Sequence, residues 1–313
     1  MLGSRSRWAP GLRSSPRRWA GRLCVVHLIR ATNSLESLRL FVDAYEAHPA
    51  AETHDLALVY KGFDQIDQLE PVREVVGSLP HIAIRIPDAG VDIAAYRAAA
   101  LALDHDAVCF LNSFSEPLVE GWLARLAEHA FLPGVGLAGA TGSWESTYAC
   151  FMRTAYAFRS TGSLSARVRG RLRRSSERAR YRLMFPGFPN PHIRTNAFLM
   201  PRQVFLDLTA RVGLTKWQAL GLESGRFSLT RQVWKAGQRT VVVGRDGVAY
   251  EPADWFDSHT FRSGGQRNLL VADRRTRDFA VADADARREL AWSAWGSVAQ
   301  QEDRGARGNG PPP

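Results

Sequence analysis

The chain has few cysteines. Only Cys24, Cys109 and Cys150 occur among 313 residues, an odd number too widely spaced for a disulfide framework or a zinc ligand set. Cys24 and Cys109 sit inside apolar runs, so all three read as core residues in a reducing compartment. No apolar stretch approaches the roughly 20 residues of a membrane-spanning helix, and the first residues lack the uninterrupted apolar run of a signal peptide. A cytoplasmic location is therefore expected. Also missing are a P-loop, a Gly-x-Ser-x-Gly elbow and a His-Glu-x-x-His pair. The turn after the first strand signal reads RATNS, without the glycines that let a backbone approach a pyrophosphate, which argues against a conventional NAD or FAD enzyme.

What is present begins with charge. The formal net charge is +10, but it is concentrated in two stretches. Residues 1–22 carry six arginines and no acid, and residues 163–182 carry eight arginines against Glu177 alone. Without these stretches the rest of the chain stands at −3, an ordinary globular balance. The basic character thus belongs to appendages. The second stretch suits a solvated or acceptor-facing arm, an anionic membrane surface or, least well, nucleic acid.

The hydrophobic content of 45% supports a substantial core. Residues 1–21 mix Pro, Gly, Ser and Arg without periodicity and read as a disordered basic arm, as residues 301–313 read as a disordered tail. The folded domain is expected over 22–300, with a basic helical or loop insertion at 163–190. Its first 120 residues alternate strand and helix signals. Residues 23–29 form an apolar strand, followed by Asn33 and Glu36 in capping-box register and by Leu38, Phe41, Val42 and Tyr45 at helical spacing. Further strands are expected at 55–60, 81–86 and 107–111, and helices at 70–79 and 92–103, with another opened by Pro117. The second half is less regular, with strands near 136–140 and 197–200 and a hairpin turning at 244–247. The pattern predicts an α/β fold whose mostly parallel sheet is covered by helices on both faces, with ligands at the carboxyl ends of the strands.

Five segments carry a resemblance: VVHLIRATNSLESLRLFVDAY, RIPDAGVDIAAYRAAA, AVCFLNSFSEPLVEGWL, FPNPHIRTNAF and ESGRFSLTRQVWKAGQRTVVVGRDG. In this order, over about residues 22–280, the chain resembles the family 2 glycosyltransferases of the GT-A type, near bacterial proteins of cell-surface polysaccharide and rhamnan synthesis. The resemblance implies a GT-A nucleotide-diphospho-sugar transferase fold, a nucleotide-sugar donor and a glycan or lipid-linked acceptor. It implies nucleoside contacts from Asp88, Asp92 and Tyr96, on the loop and helix after the third strand. It further implies an acidic general base opening a late helix, for which Glu223 is the match.

The family's Asp-x-Asp pair holds Mg²⁺ or Mn²⁺ against the donor diphosphate. Here the end of the fourth strand reads Asn112-Ser113-Phe114-Ser115-Glu116. Glu116, with one amide or hydroxyl, is the candidate metal ligand there and His259 a candidate late one, while Asn112 is a candidate nucleotide-sugar contact. Without a metal, cationic side chains must stabilise the diphosphate, and Arg30, Lys61, Arg194 and His259 are the candidates. Asn33, beside Arg30 at the end of the first strand, completes the expected donor site. The missing carboxylate pair keeps open a second reading, a non-catalytic nucleotide-sugar or glycan binder. The arginine stretches alone support a third, a basic nucleic-acid-binding protein.

Overall fold

The computed structural model describes residues 20–157, 164–210 and 215–300. The expected basic arm, but for its last residues, and the whole tail lie outside them. Strand β1 (Leu23–Arg30), helix α1 (Leu35–Ala47), β2 (Asp55–Lys61), α2 (Glu70–Val76), β3 (Ile82–Ile86), α3 (Asp92–Ala102) and β4 (Ala107–Leu111) follow the expected alternation. Then come β5 (Glu116–Pro117), α4 (Trp122–Ala130), β6 (Val135–Gly139), β7 (Gly142–Ser143), α5 (Thr147–Ala157), α6 (Leu164–Met184), β8 (His192–Ile193) and β9 (Phe198–Pro201). The chain continues through α7 (Arg202–Thr209), α8 (Lys216–Ser224), α9 (Leu229–Lys235), β10 (Arg239–Val243), β11 (Ala249–Tyr250), β12 (Val271–Ala272), α10 (Arg274–Val281) and α11 (Ala284–Trp295).

One eight-stranded sheet in the order β11-β10-β6-β9-β4-β1-β2-β3 organises the molecule. Strands β3, β2, β1 and β4 run parallel, as do β6 and β10. Between those groups β9 runs antiparallel to both β4 and β6, and β11 returns from β10 as the expected hairpin. Strands β1, β2 and β4 are apolar at nearly every position because both faces are covered, whereas the edge strand β3 is largely exposed. On one face Leu23, Val25 and Ile29 pack with Leu38, Phe41 and Val42 of α1 and Trp122, Leu123 and Leu126 of α4. On the other, Cys24, Val26 and Leu28 pack with Ile93, Tyr96 and Ala99 of α3 and Phe205 of α7. Cys24 and Cys109 are both free, buried core residues.

Several local expectations are corrected. Helix α1 starts one residue later than the capping-box reading, with Ser34 at its N-cap and no side-chain cap bond. Pro117 does not open a helix. Glu116 and Pro117 pair instead with Ala272 and Val271 of β12, and α4 starts only at Trp122, after Gly121 in the left-handed region. Phe227 precedes the N-cap Ser228 of α9 and is 70% exposed. Among the described residues, no helix is long and apolar enough to cross a membrane.

Candidate functional site

The parallel strands β1, β2 and β3 end side by side, with Arg30 opposite Lys61 and Lys61 opposite Ile86. The loop after β3 folds back over these ends. Lys61 Nζ donates to Asp88 Oδ1 at 2.9 Å and to the Gly90 carbonyl at 2.8 Å, while the Arg30 guanidinium lies 3.5 Å from Asp92 and 4.0 Å from Asp88. Gly62 makes the close approach possible: its φ is +78°, and a Cβ there would stand 2.9 Å from the Asp88 Cβ. The Lys61 hydrogen bond and charge hold the Asp88 carboxyl below its ordinary range. Burial pushes Asp92 up, against the pull of Arg30 and Lys61.

Four of the expected donor-site residues are thus gathered at one place, but Lys61 is not available to a ligand. Its side chain is completely covered, so it fixes the Asp88 loop rather than touching a diphosphate. Tyr96 is corrected too. The helical phase of α3 turns its ring into the core, fully buried 4.7 Å from Phe110, where no nucleoside can reach it. Arg30 and Asn33 line a cavity of about 260 Å³ whose walls include Ile29, Leu35, Phe63 and Ser113.

A larger cavity of about 470 Å³ adjoins it across the end of β4, where Ser113 lines the smaller one and Asn112 the larger. Glu223 and Arg194 also line the larger cavity. Glu223 does not open a helix as expected; it stands in the last turn of α8. Burial pushes its carboxyl up to about 7, and neighbouring Asp92 adds to the rise. Arg275, Arg194 and a hydrogen bond with Thr195 pull the other way without cancelling it. A carboxyl near 7 is poised to accept a proton at neutral pH.

Arg194 is held from three sides. Its guanidinium is 2.7 Å from Asp273, with both side chains at most 10% exposed. It also reaches Thr141 Oγ1 at 3.4 Å and covers the Phe261 ring at 4.1 Å. Burial alone raises the Asp273 carboxyl, but Arg194 and the Thr276 N–H outweigh it and hold it below its ordinary value. Asp273 is also the N-cap of α10, in a reciprocal box with Thr276. The next two residues, Arg274 and Arg275, are exposed and line the cavity. Arg275 faces Glu145 at 3.4 Å, and Glu145 is brought there because β7 pairs with β8 beside His192. Burial drives His192 down to about 4, so it is neutral at pH 7.

Sequence reasoning missed Glu145, His192, Asp273, Arg274 and Arg275. The run Asp273-Arg274-Arg275-Thr276 after an apolar strand was a usable signal, since Asp and Thr three apart mark a helix start. Glu145 had none, because only the pairing of β7 with β8 places it.

The loop after β4 was the expected metal site, and its donors do not fit one. The Glu116 carboxylate accepts from Arg277 Nη1 at 2.9 Å and does not line the cavity. Asn112 Oδ1 accepts the Phe114 N–H at 2.8 Å, and Ser115 Oγ donates to Asn196 Oδ1 at 2.5 Å. The side-chain oxygens of Glu116, Asn112 and Ser115 are thus engaged within the protein, and the Ser113 hydroxyl, buried without a partner at the edge of the smaller cavity, offers a single neutral oxygen and no carboxylate. His259 lies beside Gly264 with φ +53°, also outside the cavity lining. Among the described residues no group of three or more His, Cys, Asp or Glu side chains is arranged to hold a metal ion.

No protein-family model matches the chain. No curated protein matches it either. Among solved structures it is similar to the mannosyltransferase PcManGT from Pyrobaculum calidifontis in complex with GDP-mannose and Mn²⁺. The identity is 13% and the TM-score 0.44, over 95% of this chain and 78% of that one.

Proposed function

We propose that the protein is a GT-A-type glycosyltransferase that takes a sugar from a nucleoside-diphosphate sugar and passes it to a hydroxyl of a glycan or lipid-linked acceptor, in the synthesis of a cell-surface polysaccharide. The observation that carries this reading is the convergence of Asn112, Arg194 and Glu223 on one cavity at the carboxyl edge of the parallel strands, with the Glu223 carboxyl raised to about 7. The cavity volume falls in the range usual for small-ligand sites. The smaller, largely apolar cavity beside Arg30 and the Asp88 loop suits the nucleoside, and the larger one the sugar and diphosphate.

In this reading the acceptor oxygen attacks the anomeric carbon from the face opposite the diphosphate. The bond from that carbon to the phosphate oxygen breaks, and its electron pair stays on the departing nucleoside diphosphate. The acceptor proton passes to the ionised Glu223 carboxylate. The acceptor side is assigned to the surface near the end of α6, where Leu183 and Phe227 are 76% and 70% exposed and Arg226 donates to the carbonyls of Arg182 and Leu183. Apolar side chains among arginines suit a peripheral contact with an anionic membrane face.

The test is calorimetry against UDP, GDP and dTDP sugars, together with release of nucleoside diphosphate as the measure of turnover. Glu223→Gln is expected to keep donor affinity and lose about 10²- to 10⁴-fold in kcat. No binding of any donor at millimolar concentration, with or without Mn²⁺, defeats the proposal. The committed oxygens after β4 favour a second reading, a nucleotide-sugar binder without turnover. A wild-type protein that binds a donor but neither hydrolyses nor transfers it selects that one.

A further inference from the structure

We infer that Arg274 and Arg275, together with Arg194, form the site for the departing diphosphate, so that guanidinium groups stand where a carboxylate-held cation is usual. The inference rests on the nucleotide-sugar reading of the same cavity and adds to it the chemistry that handles the leaving group.

Charge developing on a departing diphosphate must be met by preorganised positive charge or hydrogen-bond donors. The loop after β4 supplies no free carboxylate pair: Glu116 is held by Arg277, and the one unpartnered hydroxyl there, that of Ser113, is buried. Phe114 stands two residues after Asn112, in the place of the second acid of an Asp-x-Asp pair, and it carries Arg274. The guanidinium carbon of Arg274 lies 6.0 Å from the Phe114 ring centroid, which puts a cation over the loop that would otherwise position a metal. Among the described residues, no carboxylate is within ion-pair distance of Arg274. Arg275 is met by Glu145 at 3.4 Å and Arg194 by Asp273 at 2.7 Å.

The placement of the two new arginines is unusual for a helix. They occupy the first turn of α10, directly after the N-cap Asp273, where a cation opposes the helix dipole. The cavity reverses that penalty: an anion over this turn gains from the same dipole and from both side chains. Two planar guanidinium forks can each grip a pair of phosphate oxygens. Arg194, mostly covered and ion-paired with Asp273 directly before these two residues, is a fixed donor beside them, while the exposed Arg274 and Arg275 can close on the ligand as it enters.

The test uses sodium pyrophosphate and GDP as probes, titrated calorimetrically into the full chain in EDTA and again in Mn²⁺. Wild type is expected to bind both probes in EDTA, with affinity that falls as salt rises. Arg274→Ala and Arg275→Ala should each weaken pyrophosphate binding at least tenfold and the double variant further, while Arg39→Ala, on the exposed face of α1, leaves it unchanged. If either alanine variant fails to fold, Arg274→Gln or Arg275→Gln carries the same readout. Binding that requires Mn²⁺ and ignores both substitutions overturns the inference but leaves the transferase reading standing. A wild type that binds neither probe, and no nucleotide sugar, removes both.

Discussion

Glu223 shows how far a single carboxyl can be displaced by its position. Burial and the neighbouring Asp92 raise it from 4.5 to about 7, so below pH 7 it is mostly protonated and cannot accept a proton. The pH profile of kcat/KM is therefore expected to rise through a limb near 7. The same shift is linked to stability. Between about pH 4.5 and 7 the folded state holds this proton more tightly than the unfolded chain, so stability falls as pH rises through that window. Above it the full cost, on the order of 3 kcal/mol, is present. Glu223→Gln has no charge to desolvate, so it should raise the unfolding temperature by a few degrees at pH 8 and not at pH 5. Equal shifts at both values contradict a buried, ionised carboxyl. The family resemblance implied an acid at Glu223 but misplaced it in its helix, because GLESGRF reads equally well as a helix end or a helix start. Tyr96 failed for a related reason, since periodicity shows that a residue lies on a helix but the core decides which face turns inward.

At the scale of elements, the first turn of α10 connects distant parts of the chain. Asp273 caps the helix, and 79 residues away in sequence Arg194 depends on it for charge balance. Removing one partner of a buried pair leaves the other uncompensated. Asp273→Asn, which retains a capping oxygen, is expected to cost about 3 to 5 kcal/mol in urea denaturation and to loosen Arg194. A loss under 1 kcal/mol would show that Arg194 finds another partner. The early βα elements were legible because each is a local pattern: apolar runs, Pro71 in the first turn of α2, the alanine-rich α3. Strand β5 was not, because two residues, Glu116 and Pro117, form a strand only through their pairing with β12, some 155 positions later. The same limit hid the joining of Glu145 to Arg275.

For the molecule as a whole, two buried histidines set the acid limb of stability. His27 is 1% exposed, stacked 3.6 Å from the Phe41 ring centroid, and burial lowers it to about 3; His192 is lowered to about 4. The unfolded chain takes up both protons as pH falls through 6.5. Stability is therefore full above that value and drops below it, by up to about 1.4 kcal/mol per pH unit for each histidine. Glu223 acts in the opposite direction over part of this range. Because Glu223 offsets about as much as one histidine loses between pH 6.5 and 4.5, His27→Phe, which keeps an aromatic ring against Phe41, should remove most of the net loss of stability over that range, as read by thermal unfolding. An unchanged slope places the proton uptake elsewhere.

The sheet order was only half legible. Parallel strands announce themselves by continuous apolar runs, whereas nothing local distinguishes β9 as the antiparallel member between β4 and β6. The short ladder of β7 with β8 means that the excursion containing α5 and α6 departs from and comes back to adjacent points on the body. Because Glu145, Thr147 and Cys150 of that excursion line the larger cavity and Glu145 meets Arg275, a change at either of its two roots is transmitted straight to the wall of the cavity.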